Sequence, residues 1–194
     1  MTRIGTGADA LLLEAAGDVI EELGRLHPVV RAHARAVAVI GARLARTLGA
    51  GEEECGRVRL AALVHDVGKV TIPRVILEKP GPLTDSEWSL VRLHPAEGER
   101  LLRPAFARRP QILAAVRSHH ERWDGAGYPD CLAATDVPPV ARIIGVADAY
   151  QAMLETRPYR PRRTAPEALA EIETHAGTQF DPDCAAALRL MLAA

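Results

Sequence analysis

The sequence predicts an all-helical protein, and three observations carry that prediction. Apolar residues make up 48% of the 194-residue chain but aromatics only 4%, so the core must be built mostly from Ala, Leu and Val. Closely packed helices use that mixture, whereas a β-sandwich wants more Val, Ile, Tyr and Thr in alternation. Val30, His33, Val37, Ile40, Leu44 and Leu48 recur at intervals of three or four, which places them on one helical face. No segment reads convincingly as a strand.

Taken in order, residues 8–24 read as a helix ahead of the main body, within an N-terminal extension over 1–26. The main domain is expected over 27–194. Its first helix spans Val29 to Leu48. The next runs from about Glu52 to Val67 and is expected to stop at Gly68, which can take the left-handed conformation after a helix end. Pro73, Pro80, Gly81 and Pro82 predict an extended connection. Thr84 with Glu87 three residues on forms a capping box. The helix it starts is expected to reach Leu102, with Pro95 as a kink or break. Another helix covers about Pro110 to Glu121. The stretch 124–139, with three prolines and two glycines, is a loop. A helix follows from about Val140 to Glu155. Thr164 with Glu167, and Asp181 before Pro182, then start two short C-terminal helices.

A net charge of −1 excludes a globally basic nucleic-acid coat. Cys55, Cys131 and Cys184 form no CxxC pair, and an odd count argues against a disulfide framework, so a reducing compartment is expected. Residues 1–17 lack a signal-peptide pattern, and no stretch approaches the ~20 apolar residues that span a bilayer. A cytoplasmic protein with no membrane contact is the expectation.

The chemistry lies in where the acids and imidazoles fall. His33 sits on the apolar face of its helix, and Asp148 shares a face with Ala141, Ile144 and Ala152. A carboxylate facing a core costs several kcal/mol unless paired or bound to a cation. His65 and Asp66 are adjacent at the end of an apolar helix. His119 and His120 are adjacent before a glycine-rich loop, and His94 lies in the capping-box helix. Each alone has a bland reading as a hydrogen-bonded core residue. Together, imidazoles and carboxylates are the ligands a divalent transition metal prefers, whereas Mg²⁺ or Ca²⁺ sites are oxygen-rich. Seven such residues are too many for one open metal site but suit two metals sharing a carboxylate.

His65-Asp66 followed by Gly68-Lys69 resembles the signature of the HD superfamily of phosphohydrolases. His119-His120-Glu121-Arg122-Trp123-Asp124-Gly125, then Gly127-Tyr128-Pro129, resembles the second signature of its HD-GYP subfamily. The resemblance extends through Ile76–Gly81, His94-Pro95, Ala147-Asp148, Arg157-Pro158-Tyr159-Arg160 and Ala176–Pro182, covering about residues 27–190. It implies an HD-domain helical bundle with a GYP loop that hydrolyses cyclic di-GMP, a bacterial second messenger, to pGpG or GMP. By position, His33, His65, Asp66 and Asp148 would hold one metal. Asp66 would bridge to a second, completed by His94, His119 and His120. The family commonly uses iron or manganese. Members with a third metal use a Glu where this chain has Val29, so two metals are expected.

A hydroxide bridging two such cations is a good nucleophile near neutral pH and would attack phosphorus in line. Asp66 and Lys69 are the expected catalytic residues, Lys69 stabilising the phosphate or leaving oxygen; without the motif Lys69 reads as a solvated residue. Arg157 and Arg160 match family positions that contact the nucleotide, where a planar guanidinium suits phosphate and guanine. Arg162 and Arg163 read as solvated surface. Tyr128 either lines the pocket or braces its loop.

Two departures stand out. Gln151 replaces an Asp common three residues after the metal-binding one, removing an acidic partner that could tune a ligand. Cys131 replaces a loop glycine. The alternatives are a nucleotide-responsive signalling scaffold without strong activity, or a hydrolase of another cyclic dinucleotide or nucleoside phosphate. The N-terminal 26 residues are too short for a sensory domain, so the regulatory input is expected from a signalling partner, or the chain is a fragment. A homodimer through the N-terminal helix is a separate expectation, weighed against packing of that helix on its own domain. A nucleic-acid polymer is not an expected partner.

Overall fold

The first predicted periodicity is realised as helix α1 (Pro28–Thr47) of the computed structural model, which describes residues 28–155 and 162–193. The predicted helix over 8–24 and the arginines Arg157 and Arg160 lie outside the described residues. His33, Ala34, Val37, Leu44 and Ala45 are buried along α1, whereas Leu48, expected on the same face, is exposed past its end. The helix closes in a Schellman motif. Gly49, at φ 87°, donates its N–H to the carbonyl of Arg46, and Ala50 donates to Ala45.

Helix α2 (Glu52–Val64) begins with Glu52, Glu53 and Glu54 in its first turn, where acidic side chains complement the helix dipole. It ends at Val64, and Val67–Thr71 continue as a 3₁₀ turn. The expected left-handed stop at Gly68 is therefore corrected: the left-handed glycines among the described residues are Gly49, Gly125 and Gly177. Gly68 is required for space. A Cβ there would lie 1.9 Å from the carbonyl oxygen of His94 and 2.6 Å from the amide of Gly98. This turn thus seats directly against α5 (His94–Phe106).

The connection expected to be extended contains a short helix, α3 (Arg74–Leu77). Helix α4 (Asp85–Val91) starts with the predicted capping box: Glu87 N–H donates to Thr84 Oγ1 at 3.3 Å and Thr84 N–H to Glu87 Oε2 at 2.7 Å. The chain then breaks at Arg92 and Leu93, and α5 starts afresh with Pro95 in its first turn, where the missing N–H costs nothing. Helix α6 (Pro110–Ser118) leads into the loop, which holds a 3₁₀ turn at Ala134–Asp136. Helix α7 (Pro139–Leu154), α8 (Ala165–Thr174) and α9 (Pro182–Ala193) complete the order. Thr164 and Glu167 form the second predicted capping box, and Asp181 caps α9 by accepting from the amides of Asp183 and Cys184. No strand occurs among the described residues beyond a single bridge between Ala176 and Phe180. None of the described helices is long and apolar enough to cross a membrane.

Helix α1 packs against α2 and α7, and α6, α8 and α9 also meet α7. Val37, Leu44, Val58, Ile112, Val116, Ile144, Ile172 and Leu188 fill the interior. Beyond α6 the loop folds back on its own origin. The Glu121 carboxylate accepts from the amides of Asp130 (2.7 Å) and Leu132 (3.1 Å). Trp123 and Asp124 donate their amides to the carbonyls of Gln179 and Thr178. Two motifs some fifty residues apart are thereby joined. Arg162 and Arg163 lie at the surface as expected, Arg162 exposed and Arg163 partly exposed in a pair with Glu171 at 2.8 Å.

Two stability predictions follow from this geometry. Gly68→Ala must push backbone apart and should cost about 3 kcal/mol, roughly 10 °C in a thermal melt of a chain this size. An unchanged melting temperature would contradict the close approach. Cys131 holds φ 55°, the left-handed region that favours glycine. Cys131→Gly should therefore stabilise the protein by about 1 kcal/mol, and a lower midpoint in urea would refute the strain.

Candidate metal centre

Five histidines and two aspartates from separate elements converge in the interior. His33 comes from α1, and His65 and Asp66 follow the end of α2. His94 opens α5, His119 and His120 follow α6, and Asp148 lies on α7. Ligand atoms of Asp66, His94, His119 and His120 lie within 4.8 Å of one another, as do those of His33, His65 and Asp66. Asp66 belongs to both groups. Asp148 falls outside them by that measure, but its Oδ1 is 2.7 Å from His33 Nε2.

Helix ends orient three of the rings. His65 Nδ1 lies 2.7 Å from the carbonyl of Ala62, His94 Nδ1 2.7 Å from that of Val91, and His119 Nδ1 2.7 Å from that of Val116. Carbonyls in the last turn of a helix have no intrahelical partner, so each ring satisfies one by donating Nδ1–H. A neutral ring that donates at Nδ1 presents a bare lone pair at Nε2. His94 Nε2 and His119 Nε2 face each other at 3.2 Å in just this state. Two lone pairs at that distance repel unless a cation lies between them. The separation suits two nitrogens sharing one ion at the ~2.1 Å typical of metal–imidazole bonds.

Other atoms are left short of partners. His65 Nε2 and Asp66 Oδ1 are fully buried without a hydrogen bond, although His94 Nε2 comes within 3.2 Å of that oxygen. Such atoms are costly in an interior and mark a site whose occupant completes it. The donor set, imidazole and carboxylate, fits divalent transition metals.

The electrostatics agree. Burial, reinforced by neighbouring imidazoles, pushes His119 well below its ordinary value and His120 down to about 3, so both are neutral and able to ligate. Burial would raise the pKa of Asp66, but its interactions with His65 and with the Lys69 ammonium hold it well below the carboxylate range. Asp148 is also held low against burial, chiefly by its hydrogen bond to His33. Burial opposes protonation of His33, yet the hydrogen bonds to Asp148 and Glu155 lift it to about 9. A proton there stands where a cation would.

The remaining predicted residues surround this cluster. Lys69 is no solvated bystander: its Nζ lies 2.5 Å from Asp66 Oδ2. Tyr128 stacks on His120, with ring centroids 4.9 Å apart. Gly127 makes that contact possible, because a Cβ there would strike the backbone of Glu121 and Arg122. His120 and Asp148 also line a cavity of about 170 Å³, walled further by Trp123, Arg142, Gly145 and Gln179. Arg142 is held in that wall by Asp181 Oδ2, 2.5 Å from its Nη1.

Sequence reasoning missed two residues. Arg92 carries its guanidinium over the Tyr128 ring, 5.6 Å from the centroid; it lies between two helices with nothing in its spacing to single it out. Glu155 reaches His33 Nδ1 at 3.0 Å. It falls two helical turns after Asp148, so its place on the same face was readable.

An HD-domain family model matches residues 18–184. The chain is 44% identical over 147 residues to the cyclic di-GMP phosphodiesterase response regulator RpfG of Xanthomonas campestris pv. campestris, covering 75% of this chain and 39% of RpfG. It is 37% identical over 152 residues to the 3′3′-cGAMP-specific phosphodiesterase 2 of Vibrio cholerae, covering 78% of this chain and 29% of that protein. The chain thus spans well under half the length of these relatives. Among solved structures, the HDG"Y"P protein Bd1817 from Bdellovibrio bacteriovorus superposes with a TM-score of 0.70 at 21% identity, covering 86% of this chain and 53% of that one. The chain belongs to the HD-domain family, and it carries the HD-GYP motifs quoted above.

Proposed function

We propose that the chain is a metal-dependent phosphodiesterase that hydrolyses cyclic di-GMP to pGpG or GMP. The observation that carries the reading is the convergence of imidazole Nε2 atoms and unsatisfied carboxylate oxygen on Asp66. In this proposal His33, His65, Asp66 and Asp148 hold one divalent metal, and Asp66, His94, His119 and His120 the other, iron or manganese in each place. Bound there, the metals would supply Lewis acidity, activating water and neutralising charge on phosphoryl oxygens.

The protein's own part is preorganisation. Backbone carbonyls fix the tautomers of His65, His94 and His119, so nitrogen lone pairs need no reorientation. Lys69, drawn in beside Asp66, is placed to meet a phosphoryl or leaving oxygen. Tyr128 and Arg92 form one rim for the nucleotide, and Arg157 and Arg160 are assigned to its binding from their motif positions. The division into an extension over 1–26 and a catalytic domain over 27–194 belongs to the same proposal, as does a cytoplasmic location, where a second messenger acts.

A second substrate reading has specific support, since three relatives are named for 3′3′-cGAMP, two at 37% identity and one at 40%. A scaffold without activity is disfavoured by the complete set of potential ligands.

Protein purified anaerobically should contain about two transition metals per chain and turn over cyclic di-GMP. Asp66→Ala should lower turnover by roughly 1,000-fold, about 4 kcal/mol of transition-state stabilisation, while keeping its helical circular dichroism. Faster cleavage of 3′3′-cGAMP than of cyclic di-GMP would move the assignment to the second substrate. Absence of transition metal from iron-replete, reduced preparations would overturn the proposal.

A further inference from the structure

We propose that Glu155 is the positioning residue for His33, fixing from outside α1 which ring nitrogen faces the cluster. The inference rests on the metal reading above. His65, His94 and His119 spend their Nδ1–H on carbonyls near helix ends. His33 cannot, because it lies within α1, where nearby carbonyls already accept from the helix itself. Its ring needs an acceptor from another element to fix which nitrogen faces the cluster.

Helix α7 and the residue that follows it supply both contacts. Asp148 Oδ1 lies 2.7 Å from His33 Nε2, and Glu155 Oε1 lies 3.0 Å from His33 Nδ1. Asp148 and Glu155 are seven residues apart, two turns along one face, so they grip the ring from both sides. With Nδ1–H held by Glu155, Nε2 is the nitrogen turned to the cluster. A carboxylate behind a ligating imidazole also raises its basicity as a donor.

Gln151 makes the arrangement consistent. Its Nε2 donates to Glu155 Oε1 at 3.0 Å, the same oxygen that meets His33. The two residues are one turn apart, and a carboxylate at 151 would stand beside a like charge at 155, which is unfavourable at that spacing. An amide instead contributes a donor and steadies the glutamate. Gln151 and Glu155 therefore act as a matched pair, the amide of one steadying the carboxylate of the other.

The test is a chelator-competition titration of metal binding on the full chain, independent of turnover. Glu155→Ala should weaken one of the two metal equivalents by roughly 10–100-fold, the usual loss for removing such a partner, and leave the other unchanged. Glu155→Gln, which keeps an acceptor oxygen, should lose less. In a His33→Ala background, Glu155→Ala should have no further effect on metal affinity. A Glu155→Ala protein that binds both equivalents as tightly as the parent overturns the inference, as does a full additional loss in the His33→Ala background. A parent protein that binds no metal would instead remove the reading on which the inference rests.

Discussion

The constraint on which the rest depends is the state of three ring nitrogens around one buried carboxylate. Helix-end carbonyls take the Nδ1–H of His65, His94 and His119, and what remains at Nε2 is turned toward Asp66. An interior that points lone pairs at each other and leaves a carboxylate oxygen unpartnered is destabilised on its own. It becomes favourable when a cation is present. The cluster is therefore a site before it is a core, and the surrounding helices exist to hold it against its own repulsion.

The fold meets that demand with helix ends. His65, Asp66, His94, His119 and His120 all sit at the boundaries of α2, α5 and α6, where the chain changes direction and unsatisfied carbonyls are available. His33 and Asp148 come from within long helices, and they pair across the α1–α7 contact. Gly68 lets the turn after Asp66 touch the start of α5, bringing His94 to the carboxylate. The loop from Glu121 to Ala134 is tied to the 176–181 segment, so Tyr128 is delivered against His120 from a braced platform. Strain at Cys131 is borne within that platform.

Much of this was legible in the sequence for physical reasons. Periodicity marked α1 and α7, capping boxes marked α4 and α8, and inward-facing acids and imidazoles marked the cluster. What stayed hidden was set by tertiary contact. Gly68 reads as a helix stop, yet it is there for a backbone approach that no local pattern records. The break at Arg92 and Leu93, by contrast, was marked by Pro95, and the helix expected through to Leu102 divides in two there. Glu155 was readable from its spacing to Asp148, but its partner lies on a helix more than a hundred residues away.

The central claim is that this cluster is built for metal, and diffraction locates metal most directly. Crystals of anaerobically purified protein, measured on both sides of the iron and manganese absorption edges, should show anomalous peaks inside the cluster. One peak should lie among Asp66, His94, His119 and His120, and another beside His33, His65 and Asp66. A metal-replete crystal with no anomalous density within bonding distance of Asp66 would contradict the account.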